Sequence, residues 1–383
     1  MKKQFFSLAL VSTFRRLAFG LLTLFSPVYI FRLILNLSSI EVTIRMGIIG
    51  VLVYALFFYL IKILTFPLAE NLAFKVGFKN VIALSFIPFF LFITFLILSE
   101  RQLLFLVLTA FFGGLQAGLF WFAYHDMFVK AVDEHSFGFH EGVCQGLGIL
   151  TLLVAPILGS LLIFFFGFTA LFLTAGFFVL LAALTLIFSA RDKPFHDARF
   201  LTSFALFKKH LKTFLAYLGW GGETALYGNL WPIFLILILG DILSYGGIIT
   251  ISILFSVLVI FLIGRWVDKA KGSRVLTYGV ALGSFSWLLR TIAYFPFLII
   301  LVDGFYRLTE QMMTIPMDVL SYKKAISGGT SQSLYFREIA LSLGAFLFLA
   351  LASLMIFFNL PFWSTFILAF LGTLMPLLIM KKV

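Results

Sequence analysis

Ionisable side chains lie inside several long apolar stretches of this sequence. Those that first suggest chemistry are Arg15, Arg16, His125, Asp126, Glu223, Asp303, Arg307 and Glu310. A charge at the centre of a bilayer costs about 2.5 to 3.5 kcal/mol on insertion scales, so each group requires a partner, a wet cavity or a function. Asp303, Arg307 and Glu310 follow the spacing i, i+4, i+7, which places them on one face of a helix. Such a set can bind a polar solute or a coupling ion.

The composition indicates that most of this chain is solvated by lipid. Of its 383 residues, 62% are hydrophobic and 11% are charged, and the mean hydropathy is +1.12. A soluble domain is about half apolar and a quarter charged, so we exclude a soluble globular protein. The net charge of +12 belongs to cations in short loops, and we expect no nucleic-acid partner.

Twelve apolar runs are long enough to cross a bilayer, which takes about 20 residues. We number them spans 1 to 12, at roughly 7–33, 46–70, 78–99, 102–127, 138–165, 168–190, 211–239, 243–266, 273–294, 297–320, 329–357 and 361–380. With both termini and the even-numbered loops in the cytoplasm, the opposite loops carry only Arg32, Arg45 and Arg101. This asymmetry follows the positive-inside rule. We expect an all-α, multi-pass protein of the cytoplasmic (plasma or inner) membrane, with both termini cytoplasmic.

The polar stretch at 191–210 divides the chain. We expect an N-terminal six-helix bundle at 1–190, a cytoplasmic linker at 191–210 and a C-terminal six-helix bundle at 211–383.

The loop between spans 8 and 9 has the pattern Gly-x-x-x-Asp-Lys-x-x-Gly-x-Arg-x-Leu over residues 264–276. Gly264 lets two helices approach closely. Asp268 can accept hydrogen bonds at a neighbouring helix end, and Gly272 permits a turn with positive φ. Lys269 and Arg274 hold the loop at the cytoplasmic face.

A weaker copy of this loop lies half a chain earlier. Gly77 precedes Gly272 by 195 positions, but Phe74 stands where the pattern has its acid. A second pair supports the repeat, because Phe-His-Glu at 139–141 precedes Phe-Arg-Glu at 336–338 by 197 positions. Two matches at nearly one offset indicate duplicated halves, an arrangement common among transporters.

The loop at 264–276 resembles the signature of the major facilitator superfamily of secondary transporters. The stretch 151–160, with Pro156 and Gly159, is similar to the family's Gly-x-x-x-Gly-Pro-x-x-Gly-Gly motif in helix 5. Span 4 departs from the family, because residues 111–118 lack the arginine often associated with proton coupling there. The resemblance implies two pseudo-symmetric six-helix bundles, with spans 1, 4, 7 and 10 lining a central cavity.

The resemblance and the depth of the charges together indicate candidate sites. The substrate- or ion-binding candidates are Arg16, Trp220, Glu223, Asp303, Tyr306, Arg307 and Glu310. They fit either a central binding cluster or a set of salt bridges that holds the halves together. The candidates for gating at the cytoplasmic face are Gly77, Gly264, Asp268, Lys269, Gly272, Arg274, His140, Glu141, Arg337 and Glu338. Pro156 and Gly159 are expected to pack helix 5 against its neighbours.

Four charged or titratable residues, two of them already named, lie near span ends. Lys62 and Arg290 are close enough to an end for their side chains to extend to water. His125 and Asp126 close span 4 and fit a proton relay, because histidine titrates near neutral pH, or a solvated helix terminus. We favour the solvated terminus.

No catalytic or metal-binding signature is present in the sequence, and we expect neither an enzyme nor a cofactor. The pattern favours a secondary active transporter that moves a small organic solute by alternating access, with a proton as the expected coupling ion. Arginine and glutamate beside aromatic rings favour an amphiphilic or zwitterionic solute, and membrane lipid is the other expected partner. A non-transporting or lipid-handling relative (scramblase, flippase or sensor) and a membrane-embedded lipid enzyme are the alternatives.

Overall fold

A computed structural model describes residues 2–37, 44–131, 137–187, 210–269, 272–328 and 330–382. Within these ranges, the side chains at 2–5, 37, 129–146, 149, 255–256, 258–273, 319–333 and 380–382 are outside this description. Every regular element within the described ranges is helical. The α-helices are α1 (Lys2–Leu37), α2 (Ile44–Val76), α3 (Phe78–Leu98), α4 (Phe105–Ala131), α5 (Phe137–Ile187), α6 (Leu211–Leu239), α7 (Ile242–Lys269), α8 (Gly272–Leu289), α9 (Pro296–Gly328), α10 (Thr330–Phe357) and α11 (Ser364–Leu374). Short 3-10 helices follow α8 at Arg290–Ile292 and α11 at Met375–Lys382.

The predicted count of twelve spans is not confirmed, because the described ranges contain eleven α-helices. The difference lies in α5, which takes in predicted spans 5 and 6. Gly167 interrupts α5 with φ 80° and ψ 175°, a conformation that glycine adopts without steric cost. The chain reverses there without a separate loop, so α6 to α11 correspond to predicted spans 7 to 12.

The helical ranges have the length and apolarity of a multi-pass membrane protein. In the described part of the chain, eight helical stretches are long and apolar enough to cross a bilayer. Large apolar side chains also face outward, among them Phe164, Phe165 and Phe166 beside the α5 break. Lipid accepts these side chains at no cost, and the outer surface is therefore apolar.

Small residues set the closest helix contacts, as is usual in membranes. On α5, a Cβ at Gly159 would collide with the ring of Phe25 on α1. The carbonyl of Pro156 faces Gly246 of α7, where a side chain would also collide. The stretch with the helix-5 motif therefore lies in close contact with two neighbouring helices.

The helices before residue 188 pack against those after residue 210 through a small number of helix pairs. The closest pairs between the two sets are α2 with α10, α5 with α7, and α1 with α6. A hydrogen bond from the Tyr245 hydroxyl to the Leu24 carbonyl (2.6 Å) joins α7 to α1. The space between the two sets is therefore enclosed by helices of both.

Gly344 on α10 supplies a test of this packing. A Cβ at Gly344 would collide with the Leu218 carbonyl of α6. Because backbone cannot move aside as a side chain can, we expect Gly344→Ala to lower the free energy of unfolding by about 1 to 3 kcal/mol. The measurement is the thermal midpoint of the purified protein in detergent. Gly247→Ala is the control, since its Cβ meets open space, and equal midpoints in the two variants would contradict the packing.

Candidate functional site

Two adjoining cavities lie between the two sets of helices. Their volumes are about 340 Å³ and about 330 Å³. Tyr59 and Thr224 line both cavities, so the two spaces meet at these side chains. Cavities of this size hold small organic molecules.

The larger space, which we call the aromatic cavity, is lined mainly by apolar side chains of α1, α2, α6 and α7. The rings around it include Phe19, Tyr54, Phe58, Tyr227, Trp231 and Tyr245. Arg307 is the one charged residue among the described residues that line it. This cavity is suited to the apolar part of a solute.

The second space, which we call the charged cavity, lies nearer the end of the bundle at which α1 begins. Its ionisable lining residues are Arg16, Lys62, His125, Asp318, Arg337 and Glu338. Trp220 adds an aromatic wall. The side chains of this cavity can take the place of water around a polar or charged group.

Glu338 of α10 is the centre of a network that joins the two sets of helices. Its carboxylate lies 3.3 Å from Lys62 Nζ and 3.5 Å from His125 Nε2. Arg337 Nη1 is 3.4 Å from the same carboxylate, and its Nη2 bonds Asp318. We call Lys62, His125, Asp318, Arg337 and Glu338 the charged network. Ion pairs link α2 to α10 and α10 to α9, and the polar contacts of His125 link α4 to α10.

The predictions for Lys62, His125 and Asp126 as water-exposed groups are wrong. Their exposed fractions are 8%, 6% and 1%. The prediction used the distance of each residue from a span end, which does not tell which way the helix face points. Lys62 faces Glu338, where an ion pair replaces the water it would otherwise need.

Glu223 of α6 is fully buried. Its Oε1 accepts hydrogen bonds from Trp287 Nε1 (3.0 Å) and the Tyr306 hydroxyl (2.5 Å). Oε2 has no hydrogen-bond partner among the described residues. Neighbouring Gly222 has no room for a side chain because the Phe348 ring of α10 lies against it. Close packing of α6 on α10 therefore fixes the backbone that carries this carboxylate.

Asp303 of α9 holds two arginines at once. Its Oδ2 accepts from Arg307 Nε at 2.9 Å, and its Oδ1 lies 3.2 Å from Arg290 Nη2. The Tyr227 hydroxyl donates to Oδ1 at 3.1 Å. The i, i+4 spacing of Asp303 and Arg307 thus produces the contact that it indicates, and the 3-10 helix after α8 supplies the second cation.

The prediction that Arg290 extends to water is wrong, because this side chain is fully buried. Four aromatic rings surround its guanidinium group with centroids at 4.1 to 5.1 Å. They belong to Tyr227, Trp231, Trp287 and Tyr306. The helix α8 ends at Leu289, and the 3-10 turn that follows directs Arg290 inward. Cation–π contacts and Asp303 neutralise the charge there.

Arg15 of α1 is a second buried arginine in an aromatic setting. Its guanidinium group lies 3.5 Å from the Phe120 ring centroid, 4.0 Å from Phe19 and 4.9 Å from Trp121. Gln116 Oε1 accepts a long hydrogen bond from it at 3.5 Å. No carboxylate of the described residues forms an ion pair with Arg15.

The predicted binding candidates fall into three places. Arg307 lines the aromatic cavity, and Arg16 and Trp220 line the charged cavity. Glu223, Asp303 and Tyr306 are buried in the wall behind Arg307. Glu310 is half-buried. No hydrogen bond or ion pair joins Glu310 to another described residue.

Most of the predicted gating residues are outside the side-chain description. These are Gly264, Asp268, Lys269, Gly272, His140 and Glu141. Gly77 turns the chain between α2 and α3 with φ 83° and ψ 162°. Arg274 is exposed, and Arg337 and Glu338 belong to the charged network.

Sequence reasoning missed Asp318, Trp287 and Tyr227 as partners of the central charges. Asp318 carried a usable signal, because it is a further acid in an apolar run. The two aromatic residues carried none, since rings are ordinary in apolar helices. Among the described residues, no group of three or more His, Cys, Asp or Glu side chains is placed to hold a metal ion.

No protein-family model matches this chain, and no curated protein matches it in sequence. Solved structures do match in fold. The POT family transporter PepTSo has a TM-score of 0.72 at 12% identity and covers 100% of this chain and 97% of its own. An auto-inhibited POT family peptide transporter has a TM-score of 0.71 at 13% identity, with 99% and 97% covered. The Escherichia coli fucose:proton symporter FucP, a Major Facilitator Superfamily transporter, has a TM-score of 0.68 at 14% identity, with 98% and 97% covered.

Asp303→Asn tests the shared carboxylate. The change keeps the shape but leaves Arg290 and Arg307 buried without their counter-ion. We expect the free energy of unfolding to fall by about 3 to 5 kcal/mol, as when one partner of a buried pair is removed. Thermal unfolding in detergent measures it. Asp241→Asn is the matched control, since Asp241 is exposed and only caps α7 through the Ser244 amide. A midpoint for Asp303→Asn as high as that of the control would contradict this role.

Proposed function

Since the chain has the fold of major facilitator superfamily transporters, we propose that it is a secondary active transporter of a small organic solute. The observation that carries the proposal is the pair of adjoining cavities, which bring an aromatic wall and fixed charges together between the two sets of helices. Buried charges beside a cavity are costly in a membrane and indicate a pathway for a polar or ionic solute. The solute moves by alternating access.

The two six-helix bundles, 1–190 and 211–383, are the moving parts in this proposal, with 191–210 as the linker. The break in α5 at Gly167 supplies the sixth span of the first bundle. The reciprocal contacts of α2 with α10 and α5 with α7 support a rocking motion about the cavities. The charged network is the gate, since its ion pairs cross from one bundle to the other. Access to the charged cavity requires that these pairs separate.

A proton is the coupling ion in this proposal, and Glu223 is its site. The carboxylate is buried, and one oxygen lacks a hydrogen-bond partner among the described residues. Burial favours the neutral form of a carboxylate unless a cation compensates. Arg290 is close but is already shared with Asp303 and the rings. Protonation of Glu223 would change its bond to Tyr306, which lies on the cavity helix α9.

The membrane orientation in this proposal places both termini in the cytoplasm. Its support is the distribution of lysine and arginine in the loops. The charged cavity then faces the cytoplasm, and the aromatic cavity faces the opposite side of a plasma or inner membrane.

The decisive experiment is reconstitution in liposomes with labelled amino acids, sugars, drugs and lysolipids, each with and without a proton gradient. We expect one class to accumulate against its own gradient when protons are driven inward. Lipid exchange without accumulation would overturn the proposal in favour of a scramblase. Chemical conversion of a lipid would overturn it in favour of an enzyme.

Glu223→Gln tests the coupling site. Gln keeps the size and can still accept from Trp287 and Tyr306, but it does not titrate. We expect accumulation driven by the proton gradient to be lost, while exchange of labelled for unlabelled solute continues. Glu100→Gln, at an exposed acid, is the control and should behave as the parent. Retained accumulation with an unchanged pH dependence in Glu223→Gln would exclude this residue as the proton site.

Glu338→Gln tests the gate. Removing the carboxylate releases Lys62 and His125, and we expect the charged cavity to open more often. Single cysteines introduced by Thr314→Cys (charged cavity) and Tyr54→Cys (aromatic cavity), in a Cys144→Ser background, report access by their labelling rates. Labelling at position 314 should rise and labelling at position 54 should fall. Solute affinity should change less than access does, and identical labelling in mutant and parent would refute the gate.

A further inference from the structure

The lining of the two cavities carries unequal numbers of positive and negative side chains. Four cations line them, against two carboxylates. The cations are Arg16, Lys62, Arg307 and Arg337, and the carboxylates are Asp318 and Glu338. His125 adds a further positive charge when it is protonated. The surface that a solute meets is therefore positive.

Arg15 adds to this positive potential from behind the wall. It is 4% exposed, and its contacts are aromatic rings and the amide of Gln116. Phe19 and Gln116 line the aromatic cavity, whereas Trp121 lines the charged cavity. The guanidinium group therefore lies beside the junction of the two spaces. A buried arginine without a carboxylate partner favours the approach of an anion.

The nearby carboxylates do not reverse this balance. Glu223, Asp303 and Glu310 line neither cavity among the described residues. Behind the wall, Asp303 is shared by Arg290 and Arg307, and Glu223 and Glu310 lie near these arginines. This group therefore adds no net positive charge, and the excess of cations comes from the residues that line the cavities and from Arg15.

The difference between the two cavities indicates where the apolar and charged groups of a ligand would lie. The aromatic cavity offers rings and a single charged group, whereas the charged cavity concentrates the ionic groups. A molecule that spans the junction at Tyr59 and Thr224 meets an apolar wall at one end and an anion site at the other. A zwitterion gains less, because the charged cavity presents Arg16, Lys62 and Arg337 against only two carboxylates. Those carboxylates, Asp318 and Glu338, already pair with cations of the protein.

We infer that the solute is an amphiphilic anion, with an apolar or aromatic body in the aromatic cavity and one anionic head group in the charged cavity. Arg15 is a positioning residue for the head group through its charge. The head group is a carboxylate or a phosphate ester, and its source is either a free organic acid or a single-chain phospholipid. That the ligand is a transported solute rests on the proposed function, whereas its binding can be measured without transport.

The test uses matched probes that differ in the head group alone. Phenylpropionate, phenylpropanol and phenylpropylamine share one body, and lysophosphatidylglycerol and lysophosphatidylcholine form a second series. Binding to the full-length protein in nanodiscs of zwitterionic lipid is measured by isothermal titration calorimetry. We expect the anion to bind at least about tenfold more tightly than the neutral or zwitterionic member of its series. The series with the tighter anion identifies the source.

Arg15→Gln should weaken binding of the anion by about tenfold and leave binding of phenylpropanol within about twofold. Arg15→Lys keeps the charge and should retain most of the anion preference. Arg101→Gln removes an exposed arginine that lines neither cavity and should have no effect. Equal binding of anion, alcohol and amine by the parent protein, tighter binding of the amine, or no binding in either series would overturn the inference even if Arg15→Gln failed to fold.

The outcomes separate this inference from the proposed function. Anion-selective binding without transport in liposomes would remove the transporter proposal and leave the ligand class standing. Gradient-driven transport of a neutral or cationic solute, with no anion preference in calorimetry, would do the reverse.

Discussion

A buried charge in this molecule must be neutralised by the protein, because lipid offers it no solvation. Two carboxylates carry most of that task. Asp303 holds Arg290 and Arg307, and Glu338 holds Lys62 together with His125 and Arg337. Glu338 joins α10 to α2 and α4, whereas Asp303 joins α9 to the turn after α8 and, through the Tyr227 hydroxyl, to α6. The arrangement of the helices around the cavities depends on these two groups.

The aromatic residues complete this arrangement in a second way. Around Arg290 the rings serve as counter-charges, since a guanidinium group is attracted to an aromatic face. The same tyrosine rings also present hydroxyl groups, and Tyr227 and Tyr306 each donate to a buried carboxylate. One layer of rings thus stabilises buried ions on one side and, through Tyr227, lines the aromatic cavity on the other. The rings that stabilise the buried ions therefore also form part of the lining of the aromatic cavity.

The sequence predicted what depends on local spacing and missed what depends on tertiary contacts. The lengths of the apolar runs predicted the positions of the helices, and the i, i+4 rule predicted the pair of Asp303 and Arg307. The predictions that Lys62 and Arg290 extend to water are wrong, because distance to a helix end does not reveal which neighbour the side chain faces. The partners of Glu223 come from two other helices and have no signature in one sequence. The count of twelve separate helices is not confirmed, because the reversal at Gly167 uses no loop residues and spans 5 and 6 form one continuous element.

That reversal in α5 affects how the chain is made as well as how it is folded. Residues 164–168 read Phe-Phe-Phe-Gly-Phe and contain no polar side chain, so no hydrophilic segment separates the two helical arms. During synthesis, the first arm therefore lacks a polar stop that would fix it in the bilayer before its successor emerges. We expect the arms to enter the lipid together as a hairpin, which couples the insertion of one to that of the other.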